Sequence, residues 1–240
     1  GFVSGFLVAD ESMLEAYDES FEKYRIENGN FTLDSQATEE KLAELEQEGV
    51  TIYENFYLDE PVDVDLDGTS DGTMRIFKKR EEVNLVCLMK GTFPETADEI
   101  AIDRMYADNN SLAVGDTITV GGKELKITGL VALSDYSALF SDPGDLMFDS
   151  VKFGVSVLTP EGFAAFPDTH MKYCYSWLYE KEPADDTEEK EMADDFLEVL
   201  AAKTDISGYL PGYLNQAIRF TGDDMGGDKA MVEVLLYILI

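Results

Sequence analysis

The sequence predicts an α+β fold, in which a mixed sheet is covered by helices and a β-rich subdomain is inserted. At both ends of the chain, amphipathic helical patterns alternate with short strands rich in β-branched and aromatic residues. Between them, residues 91–133 contain short alternating strands around turn residues. We therefore predict a core sheet-and-helix subdomain from residues 1–80 and 134–240, and an inserted β-rich subdomain from residues 81–133.

The charge of the chain excludes one class of partner. Its 240 residues include 50 acidic and 18 basic residues, which gives a formal net charge of -32. Such a field repels nucleic acid and anionic lipid head groups. A hydrophobic fraction of 45% with 11% aromatic residues is nevertheless sufficient for a sizeable core. We therefore expect a folded protein that does not bind nucleic acid.

The first part of the chain alternates between helix and strand. A helix is predicted from Glu11 to Tyr24, where apolar residues recur at helical spacing, and YRIENGNFTL then indicates a strand broken at Asn28–Gly29. Thr38 is placed to cap a second helix, which Gly49 ends. VTIYENFYL follows as a strand rich in β-branched and aromatic residues. This order predicts a βαβ-like or split-βαβ unit.

An acidic segment follows this unit. Residues 63–68, with Asp71 further on, repeat the first half of a calcium-binding EF-hand loop, with acidic residues at alternate positions before a glycine. Ser70 stands at the eighth position and Met74 at the twelfth, where calcium binding requires a bidentate glutamate. Weak calcium binding stays open, but we favour a solvated hairpin loop between NFYL and TMRIFKKR.

The basic residues Arg75, Lys78, Lys79 and Arg80 form the one dense basic run of the sequence. We expect them on a solvated strand edge, where charge resists pairing with other strands. An alternative is that they act as internal counter-charges in this acidic chain. A further strand, EEVNLVCLMKG, follows.

A β-hairpin is predicted around Gly121–Gly122, because DTITV and KELKI flank this dipeptide and Gly-Gly suits the primed hairpin turns. The predicted cross-strand pairs are Thr117 with Lys126, Ile118 with Leu125, and Thr119 with Glu124. Upstream, Asp103 is placed to cap a short helix, RMYADNN, whose end at Asn109–Asn110 tolerates the left-handed conformation.

The last part of the chain repeats the pattern of the first. After a loop at residues 134–150, with a turn at Pro143–Gly144, KFGVSVL and MKYCYSWLYEK predict strands on either side of a short helix, TPEGFAAF. A long amphipathic helix follows, in which Asp186 and Glu189 form an acidic variant of the capping box. We therefore expect the N- and C-terminal parts to share one sheet.

Residues suited to enzyme chemistry are sparse. The chain has a single histidine, His170, and contains none of the patterns GxSxG, HExxH, GxGxxG or Walker A. With 50 acidic residues an acid pair of the glycosidase type stays open, although no pair stands out. We predict a non-catalytic protein with no catalytic, cofactor-binding or metal-binding residues. Cys87 and Cys174 are either a disulfide or two free, buried thiols.

One stretch resembles a known family. The run G-x-x-P…DEIAID…A…LAVGDTITVGGKELKITGLV resembles the extracytoplasmic core domain of FtsX-like ABC transporter permeases, the MacB-like periplasmic core. In that family a proline-containing start, an EI-aliphatic-aliphatic-D strand, a short helix and a VGD hairpin follow one another. LSDYSALF and MFDSVKFGVSVLTPEGF resemble clostridial-type members, so the resemblance covers most of the chain.

The resemblance implies a non-catalytic domain on the extracytoplasmic side of the cell membrane, which couples cytoplasmic ATP-driven motion to substrate export or signalling at the outer face. Its implied partners are a cytoplasmic ATP-binding subunit, a second permease copy and the membrane itself. The apolar ends, residues 1–9 and 230–240, are each shorter than the roughly 20 residues of a bilayer span. By themselves they fit a strand or buried helix, whereas the resemblance implies parts of transmembrane helices. The alternative is a stand-alone secreted or surface-anchored binding module for peptide or glycan.

Overall fold

A computed structural model describes residues 21–142 and 149–219 of the chain. The apolar ends, most of the predicted helix Glu11–Tyr24 and the predicted turn at Pro143–Gly144 lie outside these residues. Within the described ranges, no helix is both long enough and apolar enough to span a membrane.

The structure consists of two sheets with a few covering helices. The strands are β1 (Gly29–Leu33), β2 (Val50–Glu54), β3 (Tyr57–Asp63), β4 (Gly72–Lys78), β5 (Val86–Gly91), β6 (Glu99–Asp103), β7 (Thr117–Val120), β8 (Lys123–Leu133), β9 (Phe153–Leu158), β10 (Tyr173–Tyr179) and β11 (Ile206–Pro211). The α-helices are α1 (Glu39–Glu46), α2 (Arg104–Asn109), α3 (Pro160–Ala164) and α4 (Asp186–Lys203), with 3-10 turns at Asp168–His170 and Gly212–Leu214. This composition confirms the predicted α+β class.

The larger sheet closes into a six-stranded barrel. Its strand order is β8-β6-β9-β4-β3-β7, and pairing of β7 with β8 completes the circle. The pairs β4–β9 and β6–β8 are parallel and the others antiparallel, so the predicted mixed pairing is found here. β5 pairs with the second half of β8, outside the barrel. Closure leaves an interior filled by apolar side chains, among them Met74, Ile76, Ile102 and Ile127, each 0% exposed.

The predicted hairpin is confirmed in register. β7 and β8 pair Thr117 with Lys126, Ile118 with Leu125, and Thr119 with Glu124. Gly121 and Gly122 have φ values of 56° and 80°, the left-handed conformation that a primed turn requires. Asp103 caps α2, since its carboxylate accepts a hydrogen bond from the Tyr106 N–H at 3.0 Å. The left-handed residue after α2 is Ser111, with φ 55°, and not Asn109 or Asn110 as predicted.

The smaller sheet is antiparallel, with strand order β11-β1-β10-β2. As predicted, it combines the N- and C-terminal parts of the chain. One face packs against α1 and α4, where Phe31, Tyr175 and Trp177 are each 0% exposed and lie beside Phe196 of α4. Thr38 caps α1 as predicted. The cap of α4 is Asp185 and not Asp186, because the Asp185 side chain reaches the Glu188 N–H at 2.8 Å.

The residues that form each sheet do not follow the predicted subdomain ranges. β3, β4 and β9 were assigned to the core subdomain of residues 1–80 and 134–240, yet all three pair within the barrel. Every residue of β9 is buried, which suits a strand enclosed on both sides. Strand pairing in the barrel therefore spans residues 57–158, while the division into a core and an inserted subdomain stays a prediction.

Candidate functional site

The two sheets meet through polar side chains. Successive residues of a strand point to opposite faces, so Phe31, Tyr175 and Trp177 face the helices while Asn30 and Ser176 face the barrel. Ser176 is 0% exposed despite its hydroxyl group. We call this contact layer the polar junction, and it consists of Glu27, Asn30, Asn55, Arg80, Asn84, Asp135 and Ser176.

Glu27 is the centre of the first half of the junction. It lies two residues before β1 and is 3% exposed. Its Oε1 accepts hydrogen bonds from Asn84 Nδ2 at 2.7 Å and from Ser176 Oγ at 3.0 Å. Its Oε2 accepts one from Asn30 Nδ2 at 2.7 Å. The Glu27 backbone N–H donates to Asn84 Oδ1 at 2.8 Å, so a segment between β4 and β5 is tied to the smaller sheet.

Asn84 makes these contacts from an unusual backbone conformation. Its φ is 48°, in the left-handed region that asparagine tolerates better than most residues, and it is 0% exposed. The backbone N–H of Asn84 donates to Arg25 O at 3.0 Å, and that of Leu85 to Tyr24 O at 2.8 Å. The chain before β1 is therefore bonded to the barrel through its backbone as well as through Glu27.

Arg80 and Asp135 form the second half of the junction. Their side chains are 4% and 7% exposed, and two guanidinium nitrogens donate to the two carboxylate oxygens, with Nη2 to Oδ2 at 2.9 Å. Arg80 also donates from Nε to Asn55 Oδ1 at 3.1 Å and from Nη1 to Asn84 O at 3.2 Å. Its guanidinium lies 4.1 Å from the centre of the Phe77 ring. A buried bidentate pair of this kind fixes position as well as charge.

The basic run around Arg80 thus has two roles. Arg75 binds Asp59 through Nε at 2.8 Å and Nη2 at 2.9 Å, and lies 4.3 Å from the Tyr57 ring centre. The expected solvated strand edge is wrong, because β4 pairs with β3 on one side and β9 on the other. The alternative is supported for the two arginines, which act as internal counter-charges, whereas Lys78 and Lys79 are exposed.

Burial dominates the electrostatics of Glu27. Removal from water, and to a smaller extent the negative charge of Asp135, raise its pKa to about 7 against the opposing effect of the bonds from Asn30, Asn84 and Ser176. Burial also raises the pKa of the Cys174 thiol, on the same side of β10, to about 12. A free thiol held in that state is unreactive.

Clefts lie beside the junction. One, of about 410 Å³, is lined by Asn55, Phe56 and Arg80. Another, of about 330 Å³, is lined by Glu27, Asn55 and Asp135. Phe56 packs against the apolar cores of both sheets and is an apolar link between them. The junction links the two sheets through Glu27, whose carboxylate accepts bonds from Asn84 on the barrel side and from Ser176 of β10.

The first and last described residues of the chain, Phe21 and Arg219, lie close together. Phe21 and Arg219 line the same cleft, together with Glu27 and Gly212. β1 and β11 are neighbours in the smaller sheet, and Gly29 at the start of β1 lies opposite Pro211 at the end of β11. The segments that connect to residues 1–20 and 220–240 therefore leave from adjacent strands.

The acidic loop joins β3 to β4, as the sequence predicts. Carboxylate oxygens of Asp63, Asp65 and Asp71 lie within 4.8 Å of one another. Local donors hold these carboxylates, since the backbone N–H of Gly68 donates to Asp63 at 2.8 Å. Met74, at the twelfth position of the EF-hand pattern, is 0% exposed inside the barrel. Each of the three carboxylates offers one converging oxygen, and three oxygens are fewer than the six to eight that Ca²⁺ takes.

Of the other residues singled out by the sequence, His170 and Cys87 are not part of the junction, whereas Cys174 lies near Glu27. His170 is exposed in a 3-10 turn. Cys87 and Cys174 are both free, and Cys87 on β5 is only partly buried. Sequence reasoning missed Glu27, Asn84 and Asp135; the only local signal was a polar residue directly beside a strand or turn, which is common.

No family model matches the chain, and no curated protein matches it in sequence. Among solved structures, it is similar to the periplasmic region of MacB from Actinobacillus actinomycetemcomitans, with 10% identity, a TM-score of 0.44, and coverage of 81% of this chain and 94% of that one. It is also similar to the extracellular domain of the noncanonic ABC-type transporter YknZ from Gram-positive bacteria, with 12% identity, a TM-score of 0.41, and coverage of 75% and 97%. At these identities, the similarity concerns the fold.

Proposed function

We propose that this chain is an extracytoplasmic domain of an ABC transporter permease, which is held at the membrane by the segments at both its ends. In this role it couples ATP-driven motion of a cytoplasmic subunit to export or signalling at the outer face. One observation carries the proposal: the two connections leave from one place, where Phe21 and Arg219 line a common cleft.

That arrangement meets the mechanical requirement of the role. Packed helices in a membrane lie about 8 to 10 Å apart, so a body moved by two such helices must receive both connections close together. β1 and β11 provide this, because Gly29 and Pro211 are directly paired and the Gly212 N–H donates to Asn28 O at 2.6 Å. A movement of either connection acts first on the smaller sheet.

The polar junction then passes this movement to the barrel. Glu27 lies on the segment that leads into β1, and its carboxylate contacts Asn84 between β4 and β5. Arg80 and Asp135 hold the same region in a buried bidentate pair. A charged, fully bonded contact resists sliding because any displacement leaves buried groups without partners. The proposed partners are a cytoplasmic ATP-binding subunit and a second permease copy.

Surface labelling of the intact protein in its own cells tests the proposal. With Cys87→Ser as background, Glu161→Cys adds a thiol at an exposed position of α3. We expect a membrane-impermeant maleimide to label this thiol in unbroken cells, and the labelled protein to stay with salt-washed membranes. The matched control is Cys87→Ser alone, in which Cys174 is the remaining thiol and is 5% exposed, so it should stay unlabelled.

Labelling that requires cell lysis would place the domain in the cytoplasm and overturn the proposal. Labelled protein released by the salt wash, or found in the medium, would favour the stand-alone binding module. Co-purification of an ATP-binding subunit with the membrane-bound protein would support the proposed partner, and its absence from purified complexes would contradict coupling.

A further inference from the structure

The Glu27 carboxyl group is surrounded by hydrogen-bond donors. Asn84 Nδ2 and Ser176 Oγ donate to Oε1, and Asn30 Nδ2 donates to Oε2. All three donors are neutral, and the nearby cation, Arg80, is already bound to Asp135. Glu27 is therefore a buried acid whose ionised form has partners for its oxygens but, among the residues that the structure describes, no ion pair of its own.

The charged and titratable groups around Glu27 come from several elements. The barrel side contributes Asp135, paired with Arg80, and β10 contributes Cys174. Along the cleft beyond them lie Arg75 and Asp142, and Glu182, Glu189 and Arg219 line the cleft that Glu27 shares with the chain ends. Acidic groups outnumber basic ones in these surroundings, which disfavours a second negative charge at Glu27.

The hydrogen bonds indicate where a proton can bind. Asn84 cannot turn its amide, because its Oδ1 accepts the Glu27 backbone N–H while its Nδ2 donates to the carboxyl group. Asn30 has a single bond to Glu27, so rotation of its amide would present Oδ1 to a proton on Oε2. Which end of an asparagine amide carries the oxygen and which the nitrogen is inferred from hydrogen-bond partners of this kind. Oε2 is thus the oxygen that can carry a proton without breaking the contact to Asn84.

The contact between the sheets is also suited to separation. Apart from Phe56, its contact layer is polar, and clefts of about 410 and 330 Å³ lie beside it. An isolated bridge joins Tyr57 of β3 to Lys172, the residue before β10. When the sheets separate, water reaches Glu27 and its ionised form becomes favourable. We propose that proton binding at Glu27 controls how firmly the smaller sheet is held against the barrel, with the protonated carboxyl favouring the docked arrangement.

The direction of the pH effect follows from where the proton is bound more tightly. In the docked state the pKa of Glu27 is raised to about 7, whereas a solvated glutamate has its ordinary pKa of 4.5. The docked state therefore gains stability from proton binding at low pH and loses it as the pH rises through about 7. For these two values, linkage gives a docking equilibrium about 30-fold weaker at pH 8 than at pH 5.5.

Amide hydrogen exchange at pH 5.5 and pH 8, corrected for intrinsic rates, measures this change. The reporters are the backbone amides of Glu27, Asn84 and Leu85, which bond across the junction, and the amides of β9 in the barrel serve as the internal reference. In the wild-type chain we expect the junction amides to lose about 30-fold in protection between the two pH values, while β9 changes little. Glu27→Gln should keep nearly constant protection, and the surface control Glu161→Gln should follow the wild type.

Three results would overturn the proposal. The junction amides of Glu27→Gln could lose protection with pH as the wild type does, the β9 amides could lose it equally, or the wild-type junction amides could lose none. If Glu27→Gln does not fold, carbon-13 NMR of the Glu27 carboxyl in the wild-type chain gives a separate answer. A titration midpoint near 7 supports the proposal, and a midpoint near 4.5 contradicts it.

Discussion

The chain holds its carboxylates in two contrasting ways. At the polar junction, Glu27 and Asp135 are 3% and 6% exposed, and every described bond to their oxygens comes from another side chain. In the acidic loop, Asp63, Asp65 and Asp71 converge at the rim of the barrel, are partly or fully exposed, and accept bonds mainly from nearby backbone N–H groups. Loss of a partner should therefore destabilise the fold more at the junction carboxylates than at the loop carboxylates, which water can reach.

The difference lies in the sequence separation of the partners. Glu27 bonds to residues 57 and 149 positions away, and Arg80 bonds to Asp135 across 55 positions. Donors to the loop carboxylates lie two to seven positions away. The junction therefore joins segments that are distant in the sequence, while the described bonds to the loop carboxylates come from the loop itself. We expect stability to depend strongly on the first and weakly on the second.

The largest effect is expected from Arg80→Met. This change removes the cation from a pair whose side chains are 4% and 7% exposed and leaves Asp135 buried without it. Breaking a buried pair on one side typically costs about 3 to 5 kcal/mol. Urea unfolding should therefore show a free energy of unfolding lower by about 4 kcal/mol, with the slope unchanged.

The matched control is the double variant Arg80→Met with Asp135→Leu. Because both charges are then absent, most of the lost stability should return. A single variant within about 1 kcal/mol of the wild type would show that the pair is solvated in solution, and the contrast with the loop would disappear. A double variant as unstable as the single one would assign the loss to packing against Phe77.

This contrast explains what the sequence could predict. The hairpin at Gly121–Gly122, the caps at Thr38 and Asp103 and the acidic loop are all defined by residues a few positions apart, and each was found in place. The junction could not be found in this way, because Glu27 and Ser176 become neighbours only when β1 pairs with β10.

The assignment of strands to sheets failed for the same reason. β4 carries four basic residues in and after its strand, a pattern typical of an exposed edge. In the fold it is an inner strand, and the charges of Arg75 and Arg80 are neutralised by Asp59 and Asp135, which the chain supplies from elsewhere. Burial of an arginine depends on such a partner, and local sequence does not show it.

An intermediate effect is expected from Met74→Ala. Met74 occupies the twelfth position of the loop pattern, yet its side chain is 0% exposed in the barrel core beside Ile76. Truncation leaves a cavity and typically costs about 2 to 5 kcal/mol. We expect about 3 kcal/mol in urea unfolding, whereas Met74→Leu should cost less than about 1.5 kcal/mol. Equal stability of the alanine variant and the wild type would show that this position belongs to the loop and not to the core.

The smallest effect is expected from Asp65→Ala, at the exposed end of the comparison. The Asp65 side chain accepts one described bond, from the Asp67 N–H at 3.2 Å, so its loss should change the free energy of unfolding by no more than about 0.5 kcal/mol.

The same residue tests metal binding. Because Met74 is in the barrel core, the loop has no bidentate carboxylate at the twelfth position, and three converging carboxylates remain. In calorimetry we therefore expect calcium to bind no more tightly than the millimolar class of extracellular modules. A micromolar calcium isotherm that Asp65→Ala abolishes would contradict this. It would show that the charge of the loop is neutralised by bound calcium, as that of Asp135 is by Arg80.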